Sequence, residues 1–167
     1  MSRMTPWGYY EAFVIQNLWD YEQEPYDIRR GMNASISAFQ LADVMYAYYE
    51  RNGPNLIQSW PKKEDFLKDL CSRDSSFLTV QSVATAYKHL YTNQTFYEIA
   101  SGGALTSFRV PDVELESEWK DDVDVELESE RKGDVIVLRR DGTKASLKGA
   151  LKSVVEELWP SVLPPES

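Results

Sequence analysis

Histidine and cysteine are almost missing from this chain: His89 and Cys71 are the single examples among 167 residues. One cysteine excludes an intrachain disulfide and a CxxC redox or metal pair. One histidine leaves a single side chain whose unperturbed pKa lies near neutrality, so routine acid–base chemistry would fall on His89. A nucleophile elbow of the GxSxG type is absent, and Gly102-Gly103 has neither the spacing nor the lysine of a phosphate-binding loop and is expected to be a hinge. Apolar runs never reach the length of a signal peptide or membrane span, which leads us to expect a soluble, cytoplasmic protein with no membrane association. Basic residues are also scarce, 18 Lys and Arg against 27 Asp and Glu, giving a net charge of -9 and a pI near 4.7. That balance disfavours nonspecific nucleic-acid binding. With no catalytic, metal-ligating or cofactor motif in view, the expectation is no catalytic residue, no metal and no cofactor.

What is abundant is aromatic and apolar. A hydrophobic fraction of 43% and an aromatic fraction of 13% are enough to build a packed domain at this length. The most distinctive phrase is a tandem copy, DVELESEWKDDV followed at once by DVELESERKGDV, spanning residues 112–135 and carrying most of the negative charge. Val113, Leu115, Trp119, Val123, Val125 and Leu127 fall on odd positions, and Glu114, Glu116, Glu118, Glu126, Glu128 and Glu130 on even ones. This alternation predicts strands with one covered face and one wet acidic face. A flat row of carboxylates lacks the convergent loop geometry of a calcium site.

Ahead of the repeat the periodicity is helical. Thr5-Pro6 opens a first helix with Trp7, Tyr10, Phe13, Val14, Leu18 and Tyr21 as its apolar stripe, closed by Pro25. Asp27 starts a second, with Ile28, Met32, Ile36, Phe39 and Tyr46 facing inward, and Asn52-Gly53-Pro54 stops it. Pro61 opens a shorter third helix carrying Phe66, Leu67 and Leu70. A fourth spans about 75–92 with Asp74 or Ser75 as cap and a core stripe of Phe77, Val80, Ala84, Tyr87 and Tyr91. Strands are predicted near 106–110, 113–119, 123–130 and 134–140. The two copies would pair as a hairpin at Lys120-Asp121-Asp122, and the next turn would fall at Lys132-Gly133. Asp141-Gly142 marks a further turn. Ser146 caps a last helix with the stripe Leu147, Ala150, Leu151, Val154, Val155 and Leu158, which Pro160 should end. The fold class is therefore α+β: an N-terminal helical bundle over 1–95, then 96–167 as a small C-terminal antiparallel sheet covered by a helix, packed on the bundle as one unit.

These helices resemble a group of small bacterial proteins of the HEPN-like helical type with a C-terminal strand and helix appendage. In that group an Arg, an Asn, an SAFxxAD phrase and a KH pair recur on facing helices, followed by a DG turn and a final helix. The matching residues here are Arg30, Asn33, Ser37-Ala38-Phe39, Ala42-Asp43, Lys88-His89 and Asp141-Gly142. HEPN-like ribonucleases place an Arg four to six intervening residues before a His on one helix. Ser82, Val83 and Ala84 occupy the corresponding positions, so the catalytic motif is absent. The resemblance then implies a noncatalytic binding or interaction protein in a defence or toxin–antitoxin setting, with a protein partner or a second copy of itself. The alternative is a ribonuclease or nucleotide-modifying enzyme using His89 with a nearby basic residue.

The residues also have a bottom-up reading. Asp43 falls seven after Ile36 and four after Phe39, inside the expected stripe, so it should be buried and paired with a base such as Lys88, Arg29 or Arg30. Arg30, Asn33, Asp43, Lys88 and His89 together make the candidate polar pocket. His89 itself falls opposite the core stripe, on a line with Leu78, Ser82 and Thr85, which reads as a surface position.

Overall fold

The computed structural model describes residues 4–89, 104–109 and 132–166, without the side chains of 87–89. The expected strands at 113–119 and 123–130, and the Gly102-Gly103 hinge, lie outside the described residues.

Helix α1 runs in three joined segments, Pro6–Tyr9, a π-helical Tyr10–Ile15 and Gln16–Gln23. Thr5 caps it through its hydroxyl, which accepts the Gly8 N–H at 3.0 Å. Tyr10, Val14, Leu18 and Tyr21 form its buried side, whereas Phe13 turns outward onto Tyr9. Helix α2, Ile28–Asn52, begins where Asp27 Oδ1 accepts the N–H groups of Arg29 and Arg30. A single 3-10 turn, Pro54–Leu56, leads on to α3, Lys63–Arg73. Helix α4, Ser76–His89, starts with Asp74 Oδ1 accepting the Ser76 N–H.

The core line of α2 differs from the expected one. Ile28, Met32, Phe39 and Tyr46 are half-buried flanks, and the buried line is Gly31, Ala34, Ser35, Ala38, Leu41, Ala42 and Met45. Small residues win the centre because neighbours come in close. A Cβ on Gly31 would meet Leu147 Cδ2 at 2.9 Å and Tyr21 Cε2 at 3.1 Å. At Ala38 the indole of Trp159 reaches the backbone, donating from Nε1 to the carbonyl at 3.0 Å. Hydrophobicity patterns rank by side-chain size and so select the flanks.

Helix α4 is covered on all sides. Phe77, Thr79, Val80, Gln81, Ser82, Val83, Ala84, Thr85 and Ala86 are all buried. Ser82 and Thr85 are thus interior; the His89 side chain lies outside the described residues. The Ser82 hydroxyl donates back to the Leu78 carbonyl, which hides its polarity within the helix.

The sheet has three antiparallel strands in the order β1, Leu105–Arg109; β2, Gly133–Leu138; and β3, Lys144–Ser146. Leu105 to Arg109 pair with Val137 to Gly133 on one side of β2, and Ser146 to Lys144 pair with Ile136 to Leu138 on the other. The expected turn at Lys132-Gly133 is therefore corrected: Gly133 sits in the ladder opposite Arg109, and β2 is paired on both sides at 136–137. Gly133 adopts φ +129°, and a Cβ there would fall 2.1 Å from the Phe108 carbonyl oxygen. The repeat's second copy enters β2 at this glycine. The first copy has Asp121 in the same place, so the two copies are not interchangeable as the start of β2.

A tight Asp141-Gly142 turn links β2 to β3, with Asp141 Oδ1 accepting both the N–H and the hydroxyl of Thr143. Ser146 then caps α5, which comprises Leu147–Lys152, a π-helical Ser153–Leu158 and Trp159–Val162. All six expected stripe residues are buried, and α5 shares one apolar core with α1, α2, α4 and the inner sheet residues Val135 and Val137. Pro160 does not end this helix. The preceding π turn shifts the register so that Trp159 N–H bonds to Val154 rather than Val155, which opens room for the proline ring.

Candidate functional site

Arg30 is a structural clamp at the α1–α2 corner. Its Nη1 donates to the Asp20 carbonyl at 3.0 Å and lies 3.6 Å from the Asp20 carboxylate. Nη2 meets Glu24 at 3.2 Å, and Nε lies 3.6 Å from Asp27. Three carboxylates on one guanidinium hold the end of α1 against the start of α2, with only 21% of the side chain exposed. Asn33 is exposed one turn further on.

Asp43 stands 13 residues beyond Arg30 on the same straight helix, about 20 Å along the axis. One pocket cannot contain both. The expectation of a buried Asp43 is also corrected, since its side chain is 48% exposed. Its partner is Lys63 of α3, with Nζ 2.9 Å from Oδ1, not Lys88 or an arginine. The pair holds the Lys63 ammonium above its ordinary range, chiefly through this hydrogen bond. Beside it the Tyr9 hydroxyl donates to Gln40 Oε1 at 3.1 Å, and burial followed by the Asp43 charge raises the Tyr9 pKa. The position was misjudged because Ile36 and Phe39 belong to a half-buried flank, which carries a polar residue at its rim without cost. Lys88 and His89 lie in the last turn of α4, and their side chains are outside the described residues.

Polar groups in the interior tie helices to one another and to the sheet. Asp74 Oδ2 accepts the Ser153 hydroxyl at 2.6 Å, joining the start of α4 to α5. Arg139 Nη2 donates to Thr79 Oγ1 at 3.3 Å, joining the end of β2 to α4. Asp134 Oδ1 accepts the Lys148 N–H at 3.4 Å and supports the first turn of α5. The Trp7 indole donates to the Pro164 carbonyl, drawing the ends of the described chain together. Tyr10, in the π segment of α1, donates 2.8 Å to the Val155 carbonyl in the π segment of α5. π segments often mark functional places in proteins. Here the two are bonded to each other in the core, so their visible work is packing.

Among the described residues no group of three or more His, Cys, Asp or Glu is placed to hold a metal ion. None of the described helices is long and apolar enough to cross a membrane. What the surface does offer is apolar. Met4, Ile15 and Trp19 on and before α1, and Phe108 and Leu138 on the sheet, are exposed, Trp19 most of all at 63%. The sequence held this signal, because Trp19 follows Leu18 of the core line by one residue and therefore points about a quarter-turn away from it. No protein-family model, curated protein or solved structure matches this chain.

Proposed function

We propose that this chain is a noncatalytic interaction protein of the HEPN-like helical type, serving a bacterial defence or toxin–antitoxin setting through a protein partner or a second copy of itself. The observation that supports it is the fate of the charged candidates. Arg30 is spent on three carboxylates at a helix corner and Asp43 on a surface pair with Lys63, about 20 Å further along the same long helix. Neither is held ready for a substrate. The absence of the Arg-to-His spacing on α4 points the same way. A large exposed tryptophan supports contact with another macromolecule.

One observation favours the enzymatic alternative. Ser82 and Thr85, on the same helical line as His89, are buried polar residues rather than surface ones. The test is incubation of purified protein with structured and single-stranded RNA. The noncatalytic reading expects no cleavage above background. Cleavage that disappears in His89→Ala while the folded state is retained would overturn it.

A further inference from the structure

Asn52-Gly53 closes helix α2 and is the one asparagine-glycine pair in the chain. Asparagine is a thermolabile residue because its side-chain amide can be attacked by the next backbone nitrogen, and a glycine has no side chain to shield that nitrogen. Asn17, Asn33, Asn55 and Asn93 precede the bulkier Leu18, Ala34, Leu56 and Gln94. Asn52 is also exposed. In the folded state both reacting groups are held by carbonyls of the last helical turn. Asn52 Nδ2 donates to the Tyr48 carbonyl at 2.8 Å, and the Gly53 N–H donates to the Tyr49 carbonyl at 2.9 Å. Leu56 then folds back over the glycine. Its N–H bonds the Gly53 carbonyl at 2.9 Å, and a Cβ on Gly53 would meet Leu56 Cδ1 and Tyr49 Cδ1 at 3.3 Å. Leu56 is 49% exposed, so this clasp lies at the surface, at a helix end, where opening costs least. Asp141-Gly142 is the contrasting pair: hydrogen bonds from Thr143 hold the Asp141 carboxyl below its usual range, and an ionised carboxylate resists the same attack.

We propose that Asn52 is a self-modification site, gated by the last turn of α2, at which the amide becomes a carboxylate. When the turn frays, the Gly53 nitrogen gives its proton to water and bonds to Asn52 Cγ. The Cγ–Nδ2 bond breaks, and the nitrogen takes a proton from solvent and leaves as ammonia. The five-membered imide then adds water at either carbonyl and opens to aspartate or isoaspartate. Water enters, ammonia departs, and nothing is oxidised or reduced. The product loosens the corner that made it. A carboxylate cannot donate to the Tyr48 carbonyl, and its charge opposes the negative end of a 25-residue helix. In the isoaspartate form the main chain runs through the side-chain carbon, so the Gly53 N–H loses its register with Tyr49. That glycine also anchors the 3-10 turn Pro54–Leu56, which leads from α2 to α3. The inference stands apart from the interaction reading, since it uses neither Trp19 nor His89.

The test is to hold the full chain at mildly alkaline pH and physiological temperature and follow it by peptide mapping. Replacement of NH2 by OH should appear in the Asn52 peptide before any other asparagine peptide, and Asn52→Gln should abolish it. In unfolding concentrations of guanidinium chloride the rate should rise by about tenfold or more, as for a turn open at most roughly a tenth of the time. Leu56→Ala, which removes the side chain lying on Gly53, should speed the reaction of the folded protein several-fold, with circular dichroism checking the fold. Asn52→Asp, the direct product, should show faster hydrogen exchange at the Gly53 and Leu56 amides than wild type. A different asparagine reacting first in the folded chain overturns the proposal, as does a folded chain left intact at Asn52 while the unfolded one is fully converted. Equal rates folded and unfolded, or an unchanged rate in Leu56→Ala, overturn the gate. Unchanged amide exchange in Asn52→Asp overturns the loosening of the corner.

Discussion

The Tyr10 hydroxyl hydrogen-bonds the Val155 carbonyl, an acceptor that Pro160 leaves without its helical donor. In the π register of Ser153–Leu158 the Trp159 N–H is taken by Val154, and the donor next in line for Val155 would be residue 160. Proline has no N–H to give. A side chain from the first helix completes the backbone of the last.

Removing that hydroxyl should therefore cost more than an ordinary hydrogen bond. Tyr10→Phe leaves a buried carbonyl unsatisfied, and we expect a loss of about 1 to 3 kcal/mol in denaturant unfolding. In a Pro160→Ala background the new N–H supplies the missing donor, so the same Tyr10→Phe change should cost less. A double-mutant cycle reads the coupling directly, and equal costs in both backgrounds would sink the explanation.

Tyr21 is the contrasting case. It is fully buried, and its hydroxyl approaches Asp134 without closing a hydrogen bond of good geometry. Burial first and the Asp134 charge second push its pKa far above the usual tyrosine value. The folded protein therefore keeps this proton at a pH where the unfolded chain has released it. Stability from the neutral hydroxyl is full below about pH 10 and falls as pH rises beyond it. Tyr21→Phe should be close to neutral at pH 7, within about 1 kcal/mol, because no good bond is lost. Its alkaline loss of stability should be shallower than that of wild type in unfolding titrations run from pH 8 to above pH 10. Parallel curves would refute the assignment.

Gly133 should be intolerant of any side chain. Its φ of +129° is strained for an L-residue, and the Phe108 carbonyl occupies the space of a Cβ. We expect Gly133→Ala to cost more than about 2 kcal/mol, the sum of backbone strain and overpacking. Gly142, at φ +85° with open space around it, is the control, and Gly142→Asn should cost under about 1 kcal/mol. Thermal melts of the two variants that coincide would contradict this.

At Asp43 the expected effect is small. The Lys63 pair is half exposed on both sides, so Asp43→Ala should cost less than about 1 kcal/mol. A larger loss in a urea titration would mean that the carboxylate holds more than this one ammonium.

Local grammar carried far in this chain. Thr5 and Ser146 were legible as helix caps, Asp27 as a helix start and Asp74 as one of two cap candidates, because the chemistry of a cap involves a side chain and N–H groups two or three residues away. Strands at 105–109 and 133–138, the Asp141-Gly142 turn and the stripe of the last helix were legible for the same reason. The candidate site was much less so. Arg30, Asn33 and Asp43 were grouped by motif and sequence order, yet helical rise alone separates Arg30 from Asp43 by about 20 Å.

The sequence by itself determined the order and kind of the described helices and of the strands β1 and β2, but not β3, since propensity, capping and periodicity act over a few residues. Only the tertiary structure decided which residues of α2 and α4 are inside. Gly31 and Ala38 are core residues because Leu147 and Trp159 come close to them, and Ser82 and Thr85 are buried because α4 is enclosed on all sides. It also decided that Gly133 belongs to a ladder rather than a turn, because its partner Arg109 lies far back in the chain. Burial depends on neighbours distant in sequence, and a pattern read along one element contains no information about them.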